Sequence, residues 1–437
     1  MTLQIKLQTE EYQQTELGEL PKEWKVVRLG DYCKISSGYA FKSADFVKKG
    51  VFIVKIGNLQ NGIVVKDKRT NYFPENKVLG NVKKFILKEG DILIAMTGAT
   101  TGKVAVVPKE YENSLLNQRV GKFDIFSDDL DNSFFRFFSI TKSFQEKVLD
   151  NILKSAQGNV SPKQIENINI SFPPFPEQQR IAHVLLTIQE LKEKTENFIN
   201  TLEELKKSTM KHLFTYGYIK FDNVDKLELI ETEIGELPKE WEIKKLGNIN
   251  QEKCKNISPV KDETYEYYSI PAYQESQKPS IVEGKTILSQ KKILKESMIL
   301  FGKLNPRVEK VWIVKNYSSH KKIGSGEWIT IISNPEEADS TYLYYLQWSH
   351  HVMPIAKTLV SGSTPSRQRV DPTSFYDLNV PLPSLDEQKN IASMLSVIDS
   401  KIGAEENKKK ALEELFNSML EDLMTAKIRV NNLEVVA

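Results

Sequence analysis

The sequence predicts an α+β protein: two mixed α/β globular segments separated by two long antiparallel coiled-coil helices, in a pseudo-twofold circular arrangement. Three observations predict it. The phrase Gly-Glu-Leu-Pro-Lys-Glu-Trp occurs at Gly18–Trp24 and again at Gly235–Trp241, and an internal repeat decides architecture before any other feature. Each copy closes on a long stretch with heptad-like apolar spacing. Each copy opens with short β-rich runs bounded by Gly, Asn or Pro, the pattern of strands joined by turns.

The repeat continues in order. Ile86–Glu89 matches Ile293–Glu296, Asp131–Phe134 matches Asp339–Tyr342, Glu177-Gln178 matches Glu387-Gln388, and Leu202–Leu205 matches Leu412–Leu415. The separations are 217 for the opening phrase, then 207, 208, 210 and 210. They vary through the middle of each copy and hold constant from Glu177 onward, so the middle tolerates insertion and the final stretch has a fixed length. Ile219–Val224 also resembles Ile428–Leu433, which fits a ring closed by the two ends of the chain.

The elements follow in chain order. Val51–Ile56, Asp91–Ala95, Val104–Val107, Ile299–Phe301, Val311–Val314 and Trp328–Ile332 read as strands. Ser133–Ser139 and Thr341–Trp348 read as short aromatic helices whose Phe134, Phe135, Phe137 and Phe138 pack the core. Glu177–Phe214 contains no Gly or Pro, with Pro176 before it and Gly217 just beyond, the usual helix punctuation. Ile181, Val184, Ile188, Leu191, Phe198, Leu202 and Leu205 step by threes and fours, with Thr195 in the series, and form its expected seam. The second copy offers Ile391, Leu395, Ile398, Ile402, Leu412, Leu415, Met419 and Leu423, interrupted at Glu405 and Lys408–Lys410. At 1.5 Å per residue each helix is about 60 Å long. Neither buries its stripe alone, so the two are expected to pair head to tail.

Composition narrows the function classes. The 437 residues carry a net charge of only +2, but its distribution is uneven. Glu16–Phe175 holds 24 Lys/Arg against 18 Asp/Glu, and Lys285–Lys322 holds ten against two. Such patches attract a polyanion or simply keep a surface solvated. Cys33 and Cys254 form no Cys-x-x-Cys and occupy unrelated repeat positions. That argues against a zinc site or disulfide framework and favours a reducing cytoplasm. No apolar run approaches membrane-spanning length.

Catalytic motifs are not evident. Gly98–Val104 resembles a phosphate loop but has three residues between its glycines, and Val104 stands where a magnesium-binding hydroxyl is needed. No Asn-Pro-Pro-aromatic tetrapeptide and no His-Glu-x-x-His occur. The expectation is a chain that catalyses nothing and carries no metal or cofactor.

Polar loop clusters are the candidate binding residues. In the first copy they are Thr97, Thr100, Thr101 and Lys103; Asn117, Gln118 and Arg119; and Gln157, Asn159 and Lys163. In the second they are Lys303, Asn305 and Arg307, then Ser363, Thr364, Arg367, Gln368 and Arg369. Arg pairs with guanine and Asn or Gln with adenine, while Lys, Ser and Thr hold phosphates. Ordinary turn chemistry favours many of the same residues.

Taken together, the opening phrases, the Pro-rich leads into Glu177-Gln178 and Glu387-Gln388, and the Gly90–Ile94 run resemble the specificity (S) subunits of type I restriction–modification systems, over nearly the whole chain. The resemblance implies an N-terminal segment (1–15), a first target recognition domain (16–174), a first spacer helix (175–217), a linker (218–232), a second target recognition domain (233–384) and a second spacer helix with tail (385–437). It implies a subunit that reads a bipartite, asymmetric double-stranded DNA site and docks two modification (methyltransferase) subunits and restriction subunits. S-adenosylmethionine, ATP and magnesium would then belong to those partners. Gly98–Gly102 has no close sequence counterpart in the second copy, as expected of a domain that reads different bases. The alternative is a duplicated coiled-coil adaptor that joins proteins without reading DNA.

Overall fold

The computed structural model describes residues 11–153, 159–250 and 254–431. They form two compact units. Unit 1 gathers residues up to Thr195 together with those from Lys408 onward, and unit 2 is Glu196–Asn407. Each long helix, Phe175–Tyr216 and Leu385–Met424, therefore gives one part to each unit.

Unit 1 opens with the hairpin Tyr12–Thr15/Gly18–Pro21. Gly18 takes a φ of +102° at its turn, a conformation that favours glycine. Lys25–Arg28 pairs with Asn169–Phe172, joining the start and end of the globular part. A six-stranded sheet runs in the order Cys33–Ser37, Val120–Ile125, Ile92–Ala95, Val104–Val106, Ile63–Val64, Leu59–Gln60. A second sheet orders Leu115–Leu116, Val51–Val54 and Asn71–Phe73. Phe134, Phe135, Phe137 and Phe138 of the helix Asn132–Phe138 are all buried, as their spacing predicts.

Unit 2 repeats the frame. Its hairpin is Leu229–Thr232/Gly235–Pro238, and Glu242–Lys245 pairs with Asn379–Leu382. A three-stranded sheet orders Val311–Ile313, Ile299–Gly302 and Trp328–Ile331. A five-stranded sheet orders Asn256–Ile257, Lys291–Ile293, Lys321–Gly324, Thr264–Tyr268 and Ser280–Glu283. The short aromatic helix is Ser340–Trp348.

The repeated sequence phrases turn out to be the two halves of a clamp. In unit 1 the Trp24 indole N–H donates to Glu177 at 2.9 Å. Gln178 accepts from the Asp131 amide at 2.9 Å and donates to the Asp129 and Pro173 carbonyls. In unit 2 Trp241 donates to Glu387 at 3.1 Å, and Gln388 bonds the Asp339 amide and the Glu337 and Pro383 carbonyls in the same way. Asp131 and Asp339 in turn cap their aromatic helices by accepting from Phe134 and Tyr342 amides. A buried amide or indole needs such partners, so each Glu-Gln pair fixes where the helix meets its domain. Glu177 carries an additional load. It holds Arg429 through bonds of 2.6 and 3.0 Å, with both side chains almost fully buried. At the matching point of unit 2, Glu387 accepts from the Tyr218 amide at 3.1 Å.

Within each unit the helix segments run antiparallel. In unit 1 Glu177 meets Arg429 while Lys192 lies over the Phe416 ring. In unit 2 Tyr218 meets Glu387 while Lys206 pairs with Asp399 at 2.6 Å. The expected seam of the first helix holds at Ile181, Ile188, Thr195 and Leu202 and is displaced by one residue at the positions between them. Ile181, Leu185, Ile188, Thr195, Ile199, Leu202, Thr209 and Leu213 are buried, whereas Leu191, Phe198 and Leu205 are exposed. Lys192 and Lys206 fall on the buried heptad line, and their long stems allow it while the ammonium reaches an aromatic ring or a carboxylate. In the second helix Ile391, Leu395 and Leu423 are buried as expected, Leu415 is exposed, and the interrupting Glu405 is buried with Lys401 at 3.1 Å.

Candidate nucleic-acid interface

In unit 1 the hairpin loop between Ile92–Ala95 and Val104–Val106 carries Thr97, Thr100, Thr101 and Lys103. Gly98 and Gly102 turn it with positive φ, and the Thr101 hydroxyl donates to the Gly98 carbonyl at 2.6 Å. The hydroxyls of Thr97 and Thr100 find no hydrogen-bond partner among the described residues. Two further loops meet the base of this one. Met96 N–H donates to the Arg119 carbonyl at 3.1 Å, and Val160 N–H donates to the Met96 carbonyl at 3.0 Å. Thus the Asn117–Arg119 turn and the Asn159–Lys163 segment are stitched to the hairpin. Gln118, Arg119, Lys103 and Lys163 are exposed, while Asn117 is buried with its side chain accepting from the Arg119 amide. Gln157 lies outside the described residues. Close by, Lys55 donates to Asn71 at 2.6 Å, and burial, then the Arg119 charge, lowers its pKa.

Unit 2 makes the same three-way junction. Lys303 N–H donates to the Glu327 carbonyl at 3.0 Å, and Val370 N–H donates to the Lys303 carbonyl at 3.0 Å. Met96 corresponds to Lys303 (207 apart), Arg119 to Glu327 (208) and Val160 to Val370 (210). The strand registers agree: Ala95 pairs with Val120, as Gly302 pairs with Trp328. The hairpin loop 304–309 stands where 97–102 stands in unit 1, with equal length and unrelated residues. So Gly98–Gly102 has a positional counterpart that sequence comparison alone did not reveal.

The second-unit loop is braced from inside. Lys310 is 3 % exposed, and its ammonium donates to the Asn305 and Val308 carbonyls; burial lowers its pKa. Asn305 N–H donates to the Gln368 carbonyl at 2.8 Å, so Lys303 and Asn305 share one surface with Gln368 and Arg369. Ser363, Thr364, Arg367 and Arg307 are exposed, further out on the two loops. Arg369 is engaged by Glu327 through bonds of 3.1 Å from both its Nε and Nη2. That hydrogen bond and the Glu327 charge raise its pKa. Among the described residues no cluster of His, Cys, Asp and Glu could hold a metal, and no helix is long and apolar enough to cross a membrane.

The duplication is visible in the likeness of the chain to known proteins as well. The family model described as type I restriction modification DNA specificity domain matches twice, at residues 21–207 and 238–414. The chain belongs to this family. It is 26% identical over 462 aligned positions to the Type I restriction enzyme MjaVIII specificity subunit of Methanocaldococcus jannaschii, covering 95% of each chain. It is 32% identical over 166 positions to the Type I restriction enzyme EcoAI specificity subunit of Escherichia coli, covering 37% of this chain and 28% of that one. Its fold resembles the Type-I restriction-modification system S subunit from M. genitalium, with a TM-score of 0.55 at 14% identity over 92% of this chain and 96% of that one. This chain is thus a specificity subunit of the type I class, with two DNA-recognition domains.

Sequence reasoning missed Glu327. An acidic residue does not fit a search for cations and amides that bind DNA. The usable signal was the separation of 208, set by Asp131 and Asp339, which places Glu327 on Arg119.

Proposed function

We propose that each unit reads one half of a split, asymmetric double-stranded DNA site through its loop junction. The long helices set the unread gap and dock two modification (methyltransferase) subunits and the restriction subunits. Chemistry is delegated: S-adenosylmethionine, ATP and magnesium belong to those partners, and this chain itself catalyses nothing. The setting is the cytoplasm. One observation carries the reading. Both units make the same backbone bonds at the junction and display different side chains on it, as two readers of two different half-sites require. Candidate contacts are Thr97, Thr100, Thr101, Lys103, Asn117, Gln118, Arg119, Asn159 and Lys163 in unit 1, with Gln157 beyond the described residues. In unit 2 they are Lys303, Asn305, Arg307, Ser363, Thr364, Arg367, Gln368 and Arg369. Exposed Phe198, Leu205, Met394 and Val397 on the helix segments of unit 2 supply apolar surface for a docked subunit.

The test is to co-express the full chain with its modification partner and map methylated adenines genome-wide. Substitutions at 97–103 and 117–119 should change one half of the motif, and substitutions at 303–307 and 363–369 the other. A motif indifferent to both sets sinks the proposal. Binding of duplex DNA that lacks salt dependence would instead favour the adaptor reading, because phosphate neutralisation makes affinity fall with salt.

A further inference from the structure

We infer that Glu327 is a positioning residue for base reading in unit 2: it braces Arg369 so that the guanidinium presents its remaining fork to a guanine. This rests on the DNA-reading role proposed above and names one residue pair and one base within it.

The inference starts from donor accounting. A guanidinium has five N–H bonds. The Arg369 Nε–H and one Nη2–H go to the Glu327 carboxylate, and one Nη1–H goes to the Arg367 carbonyl at 3.3 Å. Among the described residues, one N–H on Nη1 and one on Nη2 remain without an acceptor. Two donors on adjacent nitrogens match the O6 and N7 acceptors on the major-groove edge of guanine. The side chain is 47 % exposed, so a ligand can reach it.

The carboxylate decides what kind of ligand fits. A phosphate brought to this fork would also approach Glu327, and like charges repel. A base edge is neutral and presents only dipoles, so it tolerates the neighbouring carboxylate. The pair is thus better suited to a base than to the backbone. Its anchorage is firm as well. The Glu327 carbonyl is bonded by Lys303 N–H, its own amide donates to Ser325 Oγ at 3.2 Å, and Arg369 lies in a strand paired to Val360–Ser361. A long arginine held in one geometry forfeits less entropy on binding than a free one. At the equivalent positions unit 1 has Arg119 and Asn159, so the two units differ at this point of the shared junction.

The test selects duplexes from a random-sequence pool with the full chain, purified with the partners it assembles with. Wild type, R369K and E327Q are compared, and thermal melts establish that each variant is folded. R369K keeps the charge and loses the fork. The expected result is loss of one guanine preference, about five- to a hundredfold in R369K and about threefold or more in E327Q. The remaining positions should stay unchanged. Replacing that guanine by 7-deazaguanine should weaken wild type and leave R369K indifferent. The wild-type motif from both variants overturns the assignment. So does uniform weakening at every position, which marks a phosphate contact. A wild-type chain that enriches no motif removes the DNA-reading role itself, and this inference falls with it.

Discussion

In unit 1 the carbonyl that receives the Met96 amide belongs to Arg119; in unit 2 the carbonyl that receives the Lys303 amide belongs to Glu327. Same bond, opposite charge. The clamp behind each junction shows the reverse pattern. Trp, Glu, Gln and the capping Asp recur in both units with bonds of 2.9–3.1 Å between Trp and Glu and of 2.9 Å between Gln and the Asp amide. The frame is copied and the junction is rewritten. Buried indoles, amides and helix ends must have partners, which leaves little choice of residue. Exposed loop side chains held by backbone bonds have no such restriction.

One asymmetry in the clamp gives the largest expected effect. Glu177→Ala removes the acceptor that the buried Arg429 guanidinium shares with the Trp24 indole, and the remaining Arg429 bond to the exposed Glu23 does not replace a buried carboxylate, a loss of about 3–5 kcal/mol. Among the described residues, Glu387→Ala unpairs the Trp241 indole and the Tyr218 amide, a loss of about 1–3 kcal/mol. Denaturant titrations of the two variants measure both, and equal losses would break the comparison. At the junction, Arg119→Ala should cost about 1–3 kcal/mol of discrimination at one base of the unit-1 half-site. Duplex competition assays read this. A uniform loss with a shallower salt slope would place Arg119 on a phosphate instead.

Acid should separate the units further. The buried His351 Nε2–H donates to the Phe214 carbonyl at 2.8 Å, so its neutral ring carries the proton on Nε2. Burial holds its pKa below the ordinary value, partly offset by that bond. The unfolded chain therefore binds more protons as pH falls through the usual histidine range, and folding stability falls with it. The slope is at most about 1.4 kcal/mol per pH unit for one proton. Unit 1 has only His183, which is exposed. Calorimetry between pH 7 and 5 should show unit 2 losing more than unit 1, and H351Q should shrink the difference. The smallest effect tests the copied part. Asp131→Ala and Asp339→Ala each remove a helix cap and should cost about 1 kcal/mol apiece, measured as matched shifts in melting temperature.

Much of this frame was legible because it repeats. The opening phrases and Glu-Gln pairs flagged the clamp without revealing that they touch. The aromatic helices came from helical spacing, and the strands around Ile92 and Ile299 from β-rich runs with Gly, Asn or Pro at their margins. Half of the coiled-coil seam, Ile181, Ile188, Thr195 and Leu202, is buried as its spacing predicts; the other half sits one residue further on, because the fold threads Lys192 and Lys206 along the packed line where Leu191 and Leu205 were expected. Lys310 was equally hidden. Nothing in a sequence says that one lysine in a basic run is 3 % exposed and bonded to two carbonyls.

The division of the chain has a consequence for its synthesis. Unit 2 is one continuous stretch, whereas unit 1 needs Lys408 onward, including Arg429, to fill its core and close on Glu177. A ribosome, which ordinarily delivers domains in order from the first, releases the later unit here in finished form while the earlier one still waits for its last strip of helix. The first unit to begin emerging is the last to mature.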